Sequence, residues 1–268
     1  MIYLIESYGN HSNRLMQHIH LEVFSKVNNI KLYNPTLVNM IKPYKMSENY
    51  NFFKAYIYNF LFKILSLTYK LTKKLNPLKI IDFDSSQNED AYIQLLKTKK
   101  NVFVRGWAFR DYENVLKYKD YFRNLFTPIE PIKPEVLERF NNTNIKIGVH
   151  IRRGDYKEWQ GGKFYYKDDE YIKIIKKTID LLKQPVSLYF FSNENLDKDV
   201  YKKEFGENIY FSDNPYYIDH FLMSDCDYLI GPPSSFTDFA SFIGKAKFYH
   251  IHDINKEFTL DDFKPSRG

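Results

Sequence analysis

Apolar positions along the chain fall into short runs of strand length, separated by stretches with helical spacing. MIYLIES at the start predicts a buried strand. A Gly/Asn/Ser loop follows, and then helical spacing through RLMQHIHLEVFSKV, which makes a β-loop-α unit. NVFVRGW (101–107) predicts another strand ending on a glycine turn, with a helix over DYENVLKYKDYFRNLF. The prolines at 128, 131 and 134 in TPIEPIKPEVLERF predict a linker, and with it a boundary between a domain 1–135 and a domain 136–268. Beyond it the pattern predicts strands at 145–151, 186–191, 226–230 and 247–251. Helices are expected near 168–183, 215–225 and 235–243. Such alternation predicts an α/β fold with a parallel sheet covered on both faces.

The strand in NIKIGVHIRRGDY carries the most chemistry. Ile145, Ile147, Val149 and Ile151 share one face, because strand side chains alternate. His150 and Arg152 therefore point together to the other face at the carboxyl end, where ligands of open parallel sheets gather. Gly154 permits a tight turn there. An arginine fork matches phosphate oxygens bidentately, so Arg152 is expected to hold an anion rather than to pair with Asp155. For Arg153, whose side chain leaves on the opposite face, a simple pair with Asp155 is allowed. A second anion site is predicted in CDYLIGPPSSFTDFASFIG, where a buried strand ends at Gly-Pro-Pro and a helix begins at Ser234 or Ser235. Ser235-x-x-Asp238 is equally a capping-box pattern. The first loop, with Asn10, His11, Ser12, Asn13, Arg14 and Gln17, is polar and sits at a strand end, as cleft-lining loops do.

Composition narrows the partners. The 268 residues are 44% hydrophobic and 18% aromatic, enough for one large core or two small ones. A net charge of +6 favours anionic partners. Lysines and aromatics are dispersed and form no RNA- or DNA-binding motif, so nucleic acid is not expected. A single cysteine, Cys226, excludes an intramolecular disulfide and fits a reducing compartment. The start reaches polar residues by Glu6, unlike a signal peptide, which leads to the expectation of a cytoplasmic protein.

Residues 51–75, NFFKAYIYNFLFKILSLTYKLTKKL, are the most apolar segment, with lysines at 54, 63, 70, 73 and 74. They read as a packed helix or helix pair with a basic end. The sharper reading is a basic amphipathic surface touching an anionic membrane, which would place the protein peripherally at the inner face.

Metal sites are not expected. Asp82-Phe83-Asp84 and Asp225-Cys226-Asp227 both match Asp-x-Asp, a pattern that holds a divalent ion on a diphosphate. The second lies at the start of a strand, the wrong end for a ligand. His18-x-His20 faces opposite sides of a helix, and His250-x-His252 lacks a third ligand. Arg153-Gly154-Asp155 spells the integrin-recognition tripeptide but caps a core strand, so the match is read as coincidence.

HIRRGDY (150–156) resembles the His-x-Arg-Arg-x-Asp-Tyr motif of the α-1,2-fucosyltransferases of glycosyltransferase family 11. Further segments resemble that family in order along nearly the whole chain: GNHSNRLMQ, VRGWAFRDYEN, FFSNE and DHFLMSDCDYLIGPPSSFTDFASFIG. The family's Gly-Asn-Gln appears with Ser12 before Asn13 and Arg14, its Phe-Ser-Asp-Asp as Phe-Ser-Asn-Glu, and its Trp-Trp as Asp238-Phe239. The phosphate motif is kept, while positions nearer the sugar or acceptor differ.

The resemblance implies a GT-B-like pair of Rossmann-type lobes and an inverting, metal-independent transfer of fucose from GDP-β-L-fucose to a glycan acceptor, with α-1,2 linkage. It implies no cofactor. By resemblance, the donor site would comprise His150, Arg152, Arg153, Ser234, Ser235 and Phe236, with Arg152 on the pyrophosphate. Asp155, and after it Glu158, would be the base. Asn10, His11, Asn13, Arg14 and Gln17 would line the acceptor cleft. The alternatives are transfer of a different sugar from GDP or another nucleotide, and a non-catalytic nucleotide- or nucleic-acid-binding protein.

Overall fold

A computed structural model describes residues 1–72, 78, 80–84, 89–98, 100–207 and 209–268. Internal contacts divide the chain into two units, Met1–Ile129 with Arg267–Gly268, and Glu130–Ser266.

The first unit is a parallel sheet of short strands, β1 (Ile2–Leu4), β2 (Leu32–Tyr33), β3 (Ile81–Asp82) and β4 (Val102–Arg105), in the order β2-β1-β4-β3. Ile2 pairs with both Leu32 and Val102. The helices are α1 (His11–Val27), α2 (Phe52–Leu71), α3 (Glu89–Thr98), α4 (Tyr112–Val115) and α5 (Lys119–Leu125). Ile2, Leu4, Val102 and Val104 bury one face of the sheet against Leu21 and Phe24 of α1 and against Phe109. On another side, Ile5, Tyr3 and Phe103 pack on Phe62 of α2. The expected helix over 111–126 is broken, with a 3-10 turn at Leu116–Tyr118 between α4 and α5. Residues 73–75 of the apolar segment lie outside the described residues.

The second unit holds α6 (Pro134–Phe140), β5 (Ile145–Ile151), α7 (Asp168–Leu182), β6 (Val186–Ser192), α8 (Lys198–Phe205), β7 (Tyr210–Phe211), α9 (Tyr216–Ser224), β8 (Tyr228–Gly231), α10 (Ser235–Ile243) and β9 (Lys247–His250). The five strands are parallel in the order β7-β6-β5-β8-β9. β5 is buried on both faces, as the centre of a parallel sheet must be. Ile147, Val149 and Ile151 face Tyr171, Ile174 and Ile175 of α7. The other face carries Tyr189, Phe191 and Leu229, covered by Ile218, Leu222 and Met223 of α9 and Ala240 of α10. Side chains of this size stabilise by about 1.5–3 kcal/mol each when fully buried.

The expected linker is only partly a linker. Pro134 opens α6, where its missing N–H costs nothing. Val136 and Phe140 of this helix join the core of the second unit. The division therefore falls at 129/130, ahead of α6, and not at 135/136. Both units are α/β layers of Rossmann type, each a parallel sheet flanked by helices.

Candidate active site at the carboxyl edge of the second sheet

Four strand ends define this edge. β5 delivers His150 and then Arg152, which lies just past its end. Gly154, at φ +54°, turns the chain into a 3-10 turn, Gly154–Lys157. A Cβ at Gly154 would also meet the Asn193 amide nitrogen at 2.9 Å. Asn193, past the end of β6, accepts from the Arg153 N–H at 2.9 Å and so fixes where the turn begins.

β8 ends at Gly231, whose Cβ would lie 2.7 Å from the His150 carbonyl oxygen, so only glycine lets the two strands meet here. Pro232 and Pro233 lead to Ser234, the N-cap of α10, whose hydroxyl accepts from the Phe236 N–H at 3.2 Å. Ser235 is therefore the first helical residue, and the cap is Ser234, not the expected Ser235-x-x-Asp238 box. The Tyr156 hydroxyl donates to the Pro233 carbonyl at 2.6 Å and fastens the 3-10 turn to this helix start. Arg152 lies 5.5 Å over the Tyr156 ring. The strand end and the helix start, distant in sequence, are thus held together.

The pairing of Arg152 departs from the expectation. Arg152, not Arg153, pairs with Asp155, at 2.9 Å. The reason is the 3-10 turn, which brings position i+3 back over Arg152. Arg153 is engaged elsewhere: it bonds Asp168 at 2.5 Å and donates to the Tyr166 carbonyl at 3.1 Å. Tyr201 donates to the same Asp168 oxygen at 2.5 Å. Arg153 is only 9% exposed. It anchors α7 and α8 to the end of β5, and the structure does not gather it with the donor-side residues. Its burial also removes the integrin-type reading.

Arg152 keeps spare capacity. Its Nε is buried with no hydrogen-bond partner among the described residues. A buried charged N–H is costly to leave unsatisfied, and an anion is the partner that would suit it. The Asp155 carboxylate is half-exposed, and Glu158 is exposed beside it.

Beneath lies a layer of neutral imidazoles. His150 Nδ1 is 2.9 Å from the Thr237 hydroxyl, and its ring is 5.2 Å from that of Phe236. Burial, helped by the charge of Arg152 and by His250, pushes the His150 pKa down to about 3. His250 is half-buried; desolvation, with His252 nearby, holds its pKa down to about 3, and it accepts from the Ser234 N–H at 3.4 Å. Phe236 also stacks on His220 at 3.7 Å, so its ring is packed among imidazoles. His150 and Phe236 therefore support the site from below.

Asp219, on α9 next to His220, opens the DHFLMSDCDYLIGPPSSFTDFASFIG segment but is not among the expected site residues. Burial lifts its pKa to about 7, although Ser212 and Asn214 hydrogen-bond to it. The signal that could have found it is a carboxylate placed among apolar positions of a helix.

In the first unit, α1 begins at His11, three residues before the expected start, because nothing in His-Ser-Asn breaks a helix and the Asn10 carbonyl already accepts from the Arg14 N–H at 3.2 Å. The expected loop residues divide. Asn10 is exposed, and His11, Asn13 and Arg14 are half-buried. The Arg14 Nε donates to the Gly9 carbonyl at 3.0 Å. Burial pushes the His11 pKa down to about 4, though a bond with the Met40 backbone opposes this and Arg14 adds to it. Gln17 does not line a cleft: it is 3% exposed and its amide donates to the Gly106 carbonyl at 2.8 Å and the Glu6 carbonyl at 3.3 Å.

Unforeseen is an aromatic stack at the carboxyl edge of this sheet. Tyr8 and Trp107 stack at 5.2 Å, with Arg110 4.0 Å over the indole. The Asp-x-Asp carboxylates are committed to protein contacts. Arg105 bonds both Asp82 and Glu6. Asp84 accepts from the Trp107 N–H at 2.5 Å and the Ala108 N–H at 3.1 Å. Asp227 accepts from Lys146 N–H at 2.9 Å and pairs with Lys245 at 2.5 Å. In the second unit a cavity of about 480 Å³ lined by Glu138, Arg139, Asn142 and Ser187 lies at the amino end of β6, opposite the carboxyl edge of the same sheet.

The fold class is α/β of the GT-B kind, with a helix N-terminus and an arginine meeting at the carboxyl edge of the second sheet. No protein-family model matches the chain, and no curated protein matches it in sequence. Among solved structures, Arabidopsis thaliana FUT1, a mutant in complex with GDP, is similar with a TM-score of 0.62 at 11% identity, covering 96% of this chain and 72% of that one. POFUT1 in complex with GDP-fucose gives 0.46 at 10% identity, covering 92% and 96%. NodZ alpha-1,6-fucosyltransferase soaked with GDP-fucose gives 0.49 at 12% identity, covering 98% and 96%. The first of these likenesses establishes a shared fold.

Proposed function

We propose that the chain transfers fucose from GDP-β-L-fucose to a hydroxyl of a glycan, with inversion and without a metal. The observation that carries the reading is Arg152: a guanidinium with an unpartnered buried Nε, fastened through Tyr156 beside the N-cap of α10. A diphosphate leaving group needs positive charge and N–H donors where its charge develops, and this pairing supplies both. The shared fold of the GDP-bound Arabidopsis protein supports GDP as the nucleotide, and the HIRRGDY motif supports fucose as the sugar.

In this reading the acceptor oxygen bonds to the anomeric carbon as the carbon–oxygen bond to the diphosphate breaks. The bonding pair leaves with GDP, and the hydroxyl proton goes to a carboxylate. The diphosphate competes with Asp155 for Arg152. Donor binding thereby frees Asp155, first candidate for the base, with Glu158 second. Ser234 and Ser235 contribute hydroxyls to the phosphates. The Tyr8–Trp107 stack, with Asn10, His11, Asn13 and Arg14 near the end of β1, suits the apolar face of a sugar acceptor. The α-1,2 linkage follows from the motif alone.

A thermal-shift panel of GDP, UDP, CMP and their sugar conjugates, with and without EDTA, tests the reading. Stabilisation by GDP and GDP-fucose in both conditions is expected. A response to UDP, or one that requires a metal, refutes the donor assignment.

A further inference from the structure

One face of α2 presents large apolar side chains to solvent. Phe53 and Leu71 are 78% exposed, Phe60 64% and Leu67 59%, with Ile57 and Ile64 near half. At about 100° per residue these positions form one stripe along the helix. The opposite face, Ala55, Asn59, Phe62 and Ser66, is buried in the first unit. Lys54 borders the stripe on one side, and Lys63 and Lys70 border it on the other. All three are exposed. No acidic residue occurs between Phe52 and Leu71.

The borders differ in what they touch. Lys54 rests over the rings of Tyr33 and Tyr58, at 5.5 and 5.7 Å. Lys70 pairs with Glu6 at 2.5 Å. Neither Lys54 nor Lys63 has an ion-pair partner among the described residues. Where the second border meets the end of β1, a hollow of about 220 Å³ is lined by Lys63, Ser66, Leu67, Lys70 and Glu6.

A contiguous apolar stripe of this kind marks a surface that something covers. Charge decides what. Lysines along both borders, with no acid between them, match a plane of negative charge, and their long stems reach headgroups while the stripe enters the acyl boundary. A second copy laid stripe to stripe would instead bring lysine borders against each other. We propose that the exposed face of α2 lies flat on an anionic bilayer, with the stripe inserted and Lys54 and Lys63 against lipid phosphates.

Sedimentation of the full chain with vesicles of phosphatidylcholine, alone or mixed with phosphatidylglycerol, tests this. Binding to the mixed vesicles is expected, weaker in high salt and at least about tenfold weaker to phosphatidylcholine alone. Each basic residue near an anionic surface is worth about fivefold, so Lys54→Gln with Lys63→Gln should lower binding by tenfold or more. Phe60→Ser with Ile64→Ser should abolish it while circular dichroism is kept and Tm falls by a few degrees at most, since both side chains are already about half or more in water. No binding to the mixed vesicles, or equal binding by the variants, overturns the proposal. So does a concentration-dependent dimer, seen by light scattering without vesicle binding, that Phe60→Ser with Ile64→Ser dissolves; that result gives the face to a second copy. The readout is lipid alone and is independent of sugar transfer.

Discussion

Replacing Arg152 by alanine separates ligand binding from folding. In the unliganded chain the guanidinium loses one ion pair, to an Asp155 whose side chain is 53% exposed. Pairs so open to water contribute about 0–1 kcal/mol, so Arg152→Ala should shift Tm by only a few degrees, at about 2–4 °C per kcal/mol. Relief of the buried, unpartnered Nε acts in the opposite direction. In the nucleotide complex the loss is larger. A charged hydrogen-bonding partner is worth about 1.5–3 kcal/mol, so GDP should bind roughly 10- to 150-fold more weakly. Arg152→Lys, which keeps the charge and loses the fork, should fall between. Calorimetric titration with GDP and with guanosine isolates the effect. The wild type should prefer GDP strongly, the alanine variant should lose most of that preference, and guanosine affinity should scarcely move. A folded Arg152→Ala protein that binds GDP as the wild type does refutes the diphosphate role.

Arg153→Ala should show the opposite balance: removing the partner of a part-buried Asp168 costs on the order of 3 kcal/mol or more, visible as a lower urea midpoint, while GDP affinity of the folded fraction holds. Asp155→Asn should leave GDP binding within a few-fold and depress turnover. Turnover at the wild-type rate would shift the base to Glu158 or dispense with one. Acid should destabilise the fold through buried imidazoles. His20, His150 and His250 titrate near 3 and His11 near 4 when folded, against 6.5 unfolded. Their contribution is complete above 6.5 and falls by about 1.4 kcal/mol per pH unit for each histidine as pH drops toward those values. Asp219, raised to about 7, opposes them by one proton, since its contribution is lost as pH rises through 7. The net expectation is a urea midpoint lower at pH 5 than at pH 7.5; an unchanged or higher midpoint contradicts neutral buried imidazoles.

The alternation of Ile145, Ile147, Val149 and Ile151 was enough to place β5 and the end from which Arg152 emerges, because a period of two sends alternate residues to opposite faces. The start of α10 was legible as well, since Gly-Pro-Pro ends a strand and serine caps a helix. The short strands β2, β3 and β7 were not legible: two residues carry no period, and they exist only because longer neighbours offer them hydrogen bonds. Nor could the sequence assign the arginines. Arg152 and Arg153 are chemically identical neighbours, and their uses were settled by a 3-10 turn that returned Asp155 to one and by Asp168 of α7, which folds against the other. Gln17 was grouped with the polar first loop, yet it lies on the inward face of α1 and bonds the Gly106 and Glu6 carbonyls. Local pattern fixes which face and which end a residue occupies. Which charges meet depends on contacts between segments far apart in the chain, and only tertiary packing decides those.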